Sequence, residues 1–85
     1  PNAYLAHYQL GVTFERMGRL EDALKELDLA YRFKPGTVVI LYQQGQVLEK
    51  MGRPGEALER YRAALDFDPQ YAPAAEAAQR LEAGE

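Results

Sequence analysis

The chain has 85 residues, 47% of them hydrophobic and 27% charged, with a net charge of -3 at pH 7. These values are typical of a folded globular protein, and the mild acidity disfavours a nucleic-acid binder, which usually carries a basic stripe. Cysteine and serine are absent and His7 is the one histidine, so we expect no catalytic residues, no metal site and no cofactor, and predict that the protein is not an enzyme.

The sequence also bears on the cellular setting. It has no run of about 18 apolar residues, so we expect no membrane span, and no signal segment is visible at its start. The lack of cysteine fits a cytoplasmic protein and leaves a periplasmic one open. Because the chain begins at Pro1 rather than at methionine, we favour a piece of a longer chain over a processed protein.

Apolar side chains predict two helices in the first 35 residues. Around Tyr4–Met17 they recur at helical spacing, and Gly18 follows where a helix is commonly ended by a left-handed residue. The pattern resumes over Leu20–Phe33 with acidic residues in the first turn, where negative charge suits the helix start. Pro35 ends this helix, because the residue before a proline avoids helical geometry.

The same pattern is then written a second time. ERMGRLEDAL begins at Glu15 and EKMGRPGEAL begins at Glu49, and when 4–37 is laid on 38–71, twelve of the 34 positions are identical. Unrelated segments would share roughly two. The β-branched Val38–Leu41 looks like a strand when taken alone, but the repeat places it at the start of a third helix, and we give the repeat more weight than local propensity.

Two glycines indicate close packing within each repeat. Gly11 and Gly45 fall in the middle of predicted helices, where glycine costs about 0.5–1 kcal/mol relative to alanine. This cost is reasonable if the partner helix comes too close for a side chain. We expect small surfaces on the second helices and large residues filling the remaining space. The small residues are Ala23, Ala30, Ala57 and Ala64, and the large ones are Phe14, Leu27, Leu48 and Tyr61.

The quoted residues resemble the tetratricopeptide repeat, a 34-residue helical hairpin with a recurring pattern of large residue, glycine, alanine and proline. The first unit matches through Leu10, Gly11, Phe14, Gly18, Ala23, Leu27, Ala30 and Pro35, and the second through Gly45, Leu48, Gly52, Ala57, Tyr61, Ala64 and Pro69. His7 and Leu41 stand where the family often has tryptophan, and Gln44 where it usually has leucine.

The resemblance implies an all-α fold, a right-handed α-solenoid of antiparallel helix hairpins with about five helices. Residues 1–85 would form a single domain, with repeats at 4–37 and 38–71. Residues 72–85 look like the helix that caps the last repeat, since a cap hides the apolar surface beneath it. Stability generally needs three or more stacked units, so two repeats and a cap again suggest a fragment of a longer chain, or self-association.

The resemblance also implies a protein-interaction scaffold that binds a peptide or a partner segment in a concave groove. The positions that line this groove in the family correspond here to Leu5, Tyr8, Val12, Glu15, Arg16, Val39, Tyr42, Gln46, Glu49 and Lys50, with Glu76 and Arg80 from the capping helix. The lysine and asparagine clamp that some members use for chaperone tails is missing. The mixed charges and apolar floor favour an amphipathic helix or an extended apolar segment as partner.

A purely structural role is the competing interpretation for each site residue. Tyr8 and Tyr42 lie one repeat apart and would form an aromatic ladder, yet tyrosines at helical spacing are often packing residues. The Glu15/Arg16 and Glu49/Lys50 pairs are expected to be solvated or paired within their helix. We expect His7 to fill space between helices, and Arg19 and Arg53 to cap the preceding carbonyls.

Two other functions remain as alternatives. The first is homo-oligomerisation or assembly through an exposed repeat end, with Tyr4, Leu5 and Ala6 buried between subunits. The second is RNA binding along Arg16, Arg19, Lys50 and Arg53, although glutamates interrupt that edge. Steep salt dependence would be the mark of the second.

Overall fold

The computed structural model describes residues 2–84, and within them the chain forms five α-helices and no strands. Each helix packs antiparallel against the next, and α1 also touches α3. The assembly measures 37 × 27 × 15 Å, the elongated outline of stacked hairpins. The helices are α1 (Ala3–Arg16), α2 (Leu20–Phe33), α3 (Val38–Lys50), α4 (Pro54–Phe67) and α5 (Ala72–Glu82). This confirms the all-α fold of helix hairpins.

The inner turn of each hairpin is closed by the backbone. Gly18 has a φ of +80° and Gly52 a φ of +77°, the left-handed conformation that glycine adopts without steric cost. Beyond the first of them, the amide of Arg19 donates to the carbonyl of Phe14 at 2.9 Å, the long bond of a Schellman motif. The second turn repeats this bond, so both hairpins reverse direction in the same way.

The expectation that the side chains of Arg19 and Arg53 cap carbonyls is wrong. The Nε of Arg19 donates to Asp22 at 2.9 Å, and the guanidinium of Arg53 donates to both carboxylate oxygens of Glu56. Their main-chain amides already satisfy the open carbonyls, so the side chains reach forward to the acids of the next helix.

The glycines inside α1 and α3 mark places where the hairpin closes tightly. A Cβ built on Gly11 would lie 2.7 Å from Cγ of Leu27, and one built on Gly45 would lie 2.8 Å from Cδ1 of Tyr61. The close approach is therefore confirmed. The neighbours that need the space are large side chains, and the buried alanines of α2 and α4 lie beside them.

The core runs through both repeats into α5. Leu27, Leu48 and Tyr61 are buried as expected, but Phe14 is only half-buried, with the guanidinium of Arg19 4.7 Å from its ring centre. The guanidinium of Arg19, a turn residue, therefore covers part of the Phe14 ring.

Helix α3 shows packing overriding local propensity. The β-branched start at Val38 is helical, and Ile40 and Leu41 are buried at 0% and 3% exposure. Burial of side chains of this size is worth about 1.5–3 kcal/mol each, which exceeds the few tenths lost to poor helix propensity. Gln44, in place of the usual leucine, is also buried and donates to Oδ1 of Asp28 on α2 at 2.9 Å.

Candidate protein-interaction groove

A cleft of about 640 Å³ separates α3 from α5 on the side of the molecule that the first helices share. We call it the α3–α5 cleft. Its wall on α3 is formed by Tyr42 and Gln46, and its wall on α5 by Ala72, Pro73, Glu76, Ala77 and Arg80. A smaller depression of about 370 Å³, lined by Gln46, Glu49 and Lys50, continues it along α3. Together they form a groove that follows α3 for most of its length.

Tyr42, in the α3 wall of the cleft, is the centre of an aromatic cluster. Its ring lies 5.8 Å from that of Tyr61 and 5.9 Å from that of Tyr71, the second in an edge-to-face arrangement, and both spacings are favourable for aromatic pairs. Nε2 of Gln46 donates to the Tyr42 hydroxyl at 2.6 Å. This contact fixes the hydroxyl at the rim and leaves the ring for packing.

The predicted ladder of Tyr8 and Tyr42 is wrong as a ring-to-ring contact. Tyr8 packs instead against the cluster formed by Ala23, Leu27 and Val47, because that apolar surface lies within its reach. The pKa of Tyr71 is raised mainly by burial and secondly by the nearby Tyr8 and Tyr42. The tyrosines therefore share one side of the molecule without stacking as a column.

Of the charged pair in the first repeat, Glu15 is not solvated, contrary to expectation. Glu15 is only 9% exposed, and its carboxylate lies 3.0 Å from Nζ of Lys50 on α3. The bridge crosses between helices because the two residues face each other across the α1–α3 contact. Arg16, by contrast, is exposed as expected.

Glu49 makes a second bridge between helices and overturns the same expectation. Both of its carboxylate oxygens accept from Arg80 on α5, at 2.7 and 2.8 Å, and one also accepts from the Tyr61 hydroxyl at 2.6 Å. The hydrogen bonds from Arg80 lower the pKa of Glu49 despite partial burial. Burial and the bond to Glu49 raise the pKa of Tyr61. This triad joins α3, α4 and α5.

The remaining predicted groove residues lie away from the cleft. Leu5 is 40% exposed, while Val12 and Val39 are half-buried, and none of the three lines either depression. Sequence reasoning missed the apolar α5 wall of Pro73 and Ala77. Pro73 precedes the proposed Glu76 by three residues and Ala77 precedes the proposed Arg80 by three, and this i, i+3 spacing on one helix was the available signal.

His7 fills space between helices as expected. Its Nδ1 lies 2.7 Å from Oε1 of Glu26 on α2, and its ring stacks on Phe33 at 5.5 Å between centres. Among residues 2–84, no group of three metal-ligating side chains comes together. Over the same range, no helix combines the length and the apolar character needed to cross a bilayer.

Comparison with known proteins identifies the repeat. A family model described as "Tetratricopeptide repeat" matches residues 2–70. No curated protein matches the chain. The matched range contains both hairpins and ends just before α5.

Proposed function

Because the chain belongs to the tetratricopeptide repeat family, we propose that it binds a peptide or a partner-protein segment in the groove formed by the α3–α5 cleft and its continuation along α3. Repeats of this family generally mediate protein–protein interactions and are non-catalytic scaffolds. The observation that carries the proposal is the open cleft with the aromatic ring of Tyr42 in its α3 wall.

The chemistry of the groove favours a partner that is mainly apolar along one side. The cations that line the groove are already engaged, Lys50 by Glu15 and Arg80 by Glu49, so an acidic ligand would have to compete with bound carboxylates. Tyr42 and Ala77 offer apolar surface between these pairs. An amphipathic helix or an extended apolar segment fits this arrangement.

Glu76 adds a preference for positive charge. It is exposed on the wall of the cleft, and no ion pair within residues 2–84 involves it. A lysine or arginine that flanks the apolar side of the partner would pair with this carboxylate. Reversing the charge at Glu76 would place two like charges side by side, which costs several kcal/mol of binding free energy.

The size of the groove limits the segment that it holds. Helix α3 has 13 residues and is therefore about 20 Å long at the usual helical rise. This length corresponds to about six residues of an extended chain, or to three to four turns of a partner helix.

The test uses the isolated chain and lysate of its source. A partner captured by the wild-type protein is identified by mass spectrometry, narrowed to a synthetic peptide, and titrated against each variant. Glu76→Lys should weaken binding at least tenfold, and Glu59→Lys, with the same change in charge on exposed α4, should leave it unchanged. Tyr42→Phe keeps the ring and should weaken binding only if the hydroxyl is used. Equal affinities for Glu76→Lys and wild type would refute a site in this groove.

Self-association is the second candidate, because Leu5 and Ala6 are exposed at the α1 end. Tyr4 is only half-buried and lies beneath Nζ of Lys34 at 4.6 Å. Light scattering across a hundredfold range of protein concentration separates a monomer from an assembling module. RNA binding gains no support, since Arg19, Lys50 and Arg53 each face a carboxylate.

A further inference from the structure

Helix α3 places two polar side chains, Tyr42 and Gln46, one turn apart on its wall of the α3–α5 cleft. Residues at i and i+4 lie on the same side of a helix, and both side chains are half-buried. Nε2 of Gln46 donates to the Tyr42 hydroxyl at 2.6 Å. This bond holds the two groups side by side at the cleft, and we call them the tyrosine–glutamine pair.

The pair has hydrogen-bonding capacity that the fold does not use. A hydroxyl carries one donor hydrogen besides its acceptor lone pairs, and an amide oxygen is an acceptor. The Tyr42 oxygen accepts from Gln46, so its own hydrogen is directed elsewhere. Among residues 2–84, no hydrogen bond uses that hydrogen or Oε1 of Gln46. One free donor therefore lies beside one free acceptor.

A donor beside an acceptor matches one edge of an extended peptide. In an antiparallel strand pair, a hydrogen-bonded residue offers both its N–H and its C=O to the same partner. The Tyr42 hydroxyl can donate to such a carbonyl while Oε1 of Gln46 accepts from the N–H of the same residue. A helix offers no such edge, because its N–H and C=O groups bond to each other along the helix.

The pair occurs once in the three helices α1, α3 and α5. At the equivalent positions, α1 carries Tyr8 and Val12, and α5 carries Glu76 and Arg80. Valine forms no side-chain hydrogen bond, and the guanidinium of Arg80 is already bound to Glu49. A segment in the groove would therefore be held at one main-chain position, which fixes its register.

We propose that the tyrosine–glutamine pair binds the main chain of one partner residue, and that the groove therefore takes an extended segment and not an amphipathic helix. This inference rests on the proposed function, since it requires a partner in the groove. Alternate side chains of an extended segment point to the same face. Main-chain hydrogen bonds then supply affinity, and the alternate side chains that enter the cleft supply specificity.

Desolvation of the pair supports this occupant. A segment that covers the cleft removes water from the Tyr42 hydroxyl and from Oε1 of Gln46, and a polar group buried without a partner is strongly unfavourable. The apolar face of a helix would leave both groups unpaired. The main chain of an extended segment satisfies both and needs no polar side chain to do so, so the segment can stay apolar where it meets Ala77.

Peptides selected for the groove provide the probe. A phage-displayed library of random linear dodecapeptides is selected on the wild-type chain and depleted on Glu76→Lys. One selected peptide is then synthesised in a series in which each amide in turn is replaced by an ester, which keeps the chain length but lacks the N–H. In calorimetric titration, we expect one ester of the series to weaken binding at least tenfold.

Variants of the pair show whether that ester acts through Gln46. In Gln46→Met, which has a side chain of similar length but no amide, the same ester should change the affinity less than twofold. Gln79→Met is the matched control, at an exposed residue of α5 that lines neither depression, and it should keep the tenfold loss. NMR of the bound peptide should show the strong sequential Hα–HN contacts of an extended chain.

The remaining outcomes overturn the inference. Equal affinities of the parent peptide and every ester, or an ester loss that persists in Gln46→Met, would show that the pair does not bind the main chain. Sequential HN–HN contacts in the bound peptide would identify a helix as the occupant. Either result leaves the proposed function intact, because the peptides still depend on Glu76. A selection that yields no peptide dependent on Glu76 would overturn the proposed function and this inference together.

Discussion

Replacing Gly45 by alanine tests the closest contact in the second hairpin. The new Cβ would lie 2.8 Å from both Cδ1 and Cζ of Tyr61, whereas carbon atoms prefer about 3.5–4.0 Å. The ring must therefore move by roughly 1 Å. It has little freedom, because Tyr61 is 0% exposed, packs against Tyr42, and donates its hydroxyl to Glu49.

The magnitude follows from two opposed effects. Overpacking in a well-packed core costs about 1–3 kcal/mol, and the several ring atoms involved place this site near the upper end. Alanine in place of a helical glycine returns up to about 1 kcal/mol. We therefore expect Gly45→Ala to lower the free energy of unfolding by about 2 kcal/mol.

Gly55 provides the matched control. It lies in the first turn of α4, and a Cβ there would meet nothing within 4 Å. Gly55→Ala should raise stability by about 0.5–1 kcal/mol, since only the unfolded chain loses freedom. Urea unfolding followed by circular dichroism measures both variants. If Gly45→Ala is as stable as Gly55→Ala, the hairpin is not packed as tightly as the structure indicates.

Three further predictions concern stability. Arg80 lowers the pKa of Glu49 in the folded protein. The ionised carboxylate therefore stabilises the fold above its unfolded pKa of about 4.5, and this contribution is lost as the pH falls through the lower folded pKa. In Glu49→Gln, the urea midpoint should fall less steeply as the pH is lowered. Gly18→Ala, at a φ of +80° with open space around it, should cost about 1–2 kcal/mol of left-handed strain in the same urea assay. Leu27→Ala empties a fully buried site and should cost about 2–5 kcal/mol by thermal unfolding; a loss below 1 kcal/mol would contradict its burial.

The local features of the fold could be predicted from the sequence because they depend on neighbouring residues. Helix ends follow from glycine and proline, and the close approach at Gly11 follows from a glycine in mid-helix. The helical state of Val38–Leu41 needed the repeat as well, since propensity alone favours a strand. Each inference used residues of one helix, its ends, or the equivalent residues of the other repeat.

The charge pairs of the groove could not be predicted in this way. Glu49 and Arg80 are 31 residues apart, and nothing in their spacing shows that α5 turns back onto α3. Glu15 and Lys50 raise the same difficulty across 35 positions. From the sequence alone, each glutamate is more simply explained as a solvated residue or as half of a pair within its own helix. Only the packing of α1, α3 and α5 shows that each pairs with another helix.

Helix α5 couples the stability of the chain to the shape of its groove. Its inner face, with Ala74 at 0% exposure, closes the core over α4, while its outer residues Glu76 and Arg80 form one wall of the α3–α5 cleft. Arg80 also binds Glu49, which holds Tyr61 beneath the cleft. A substitution that loosens α5 should therefore alter the groove before the first hairpin is affected. Within residues 2–84 no helix covers the opposite end, and Leu10 is exposed there.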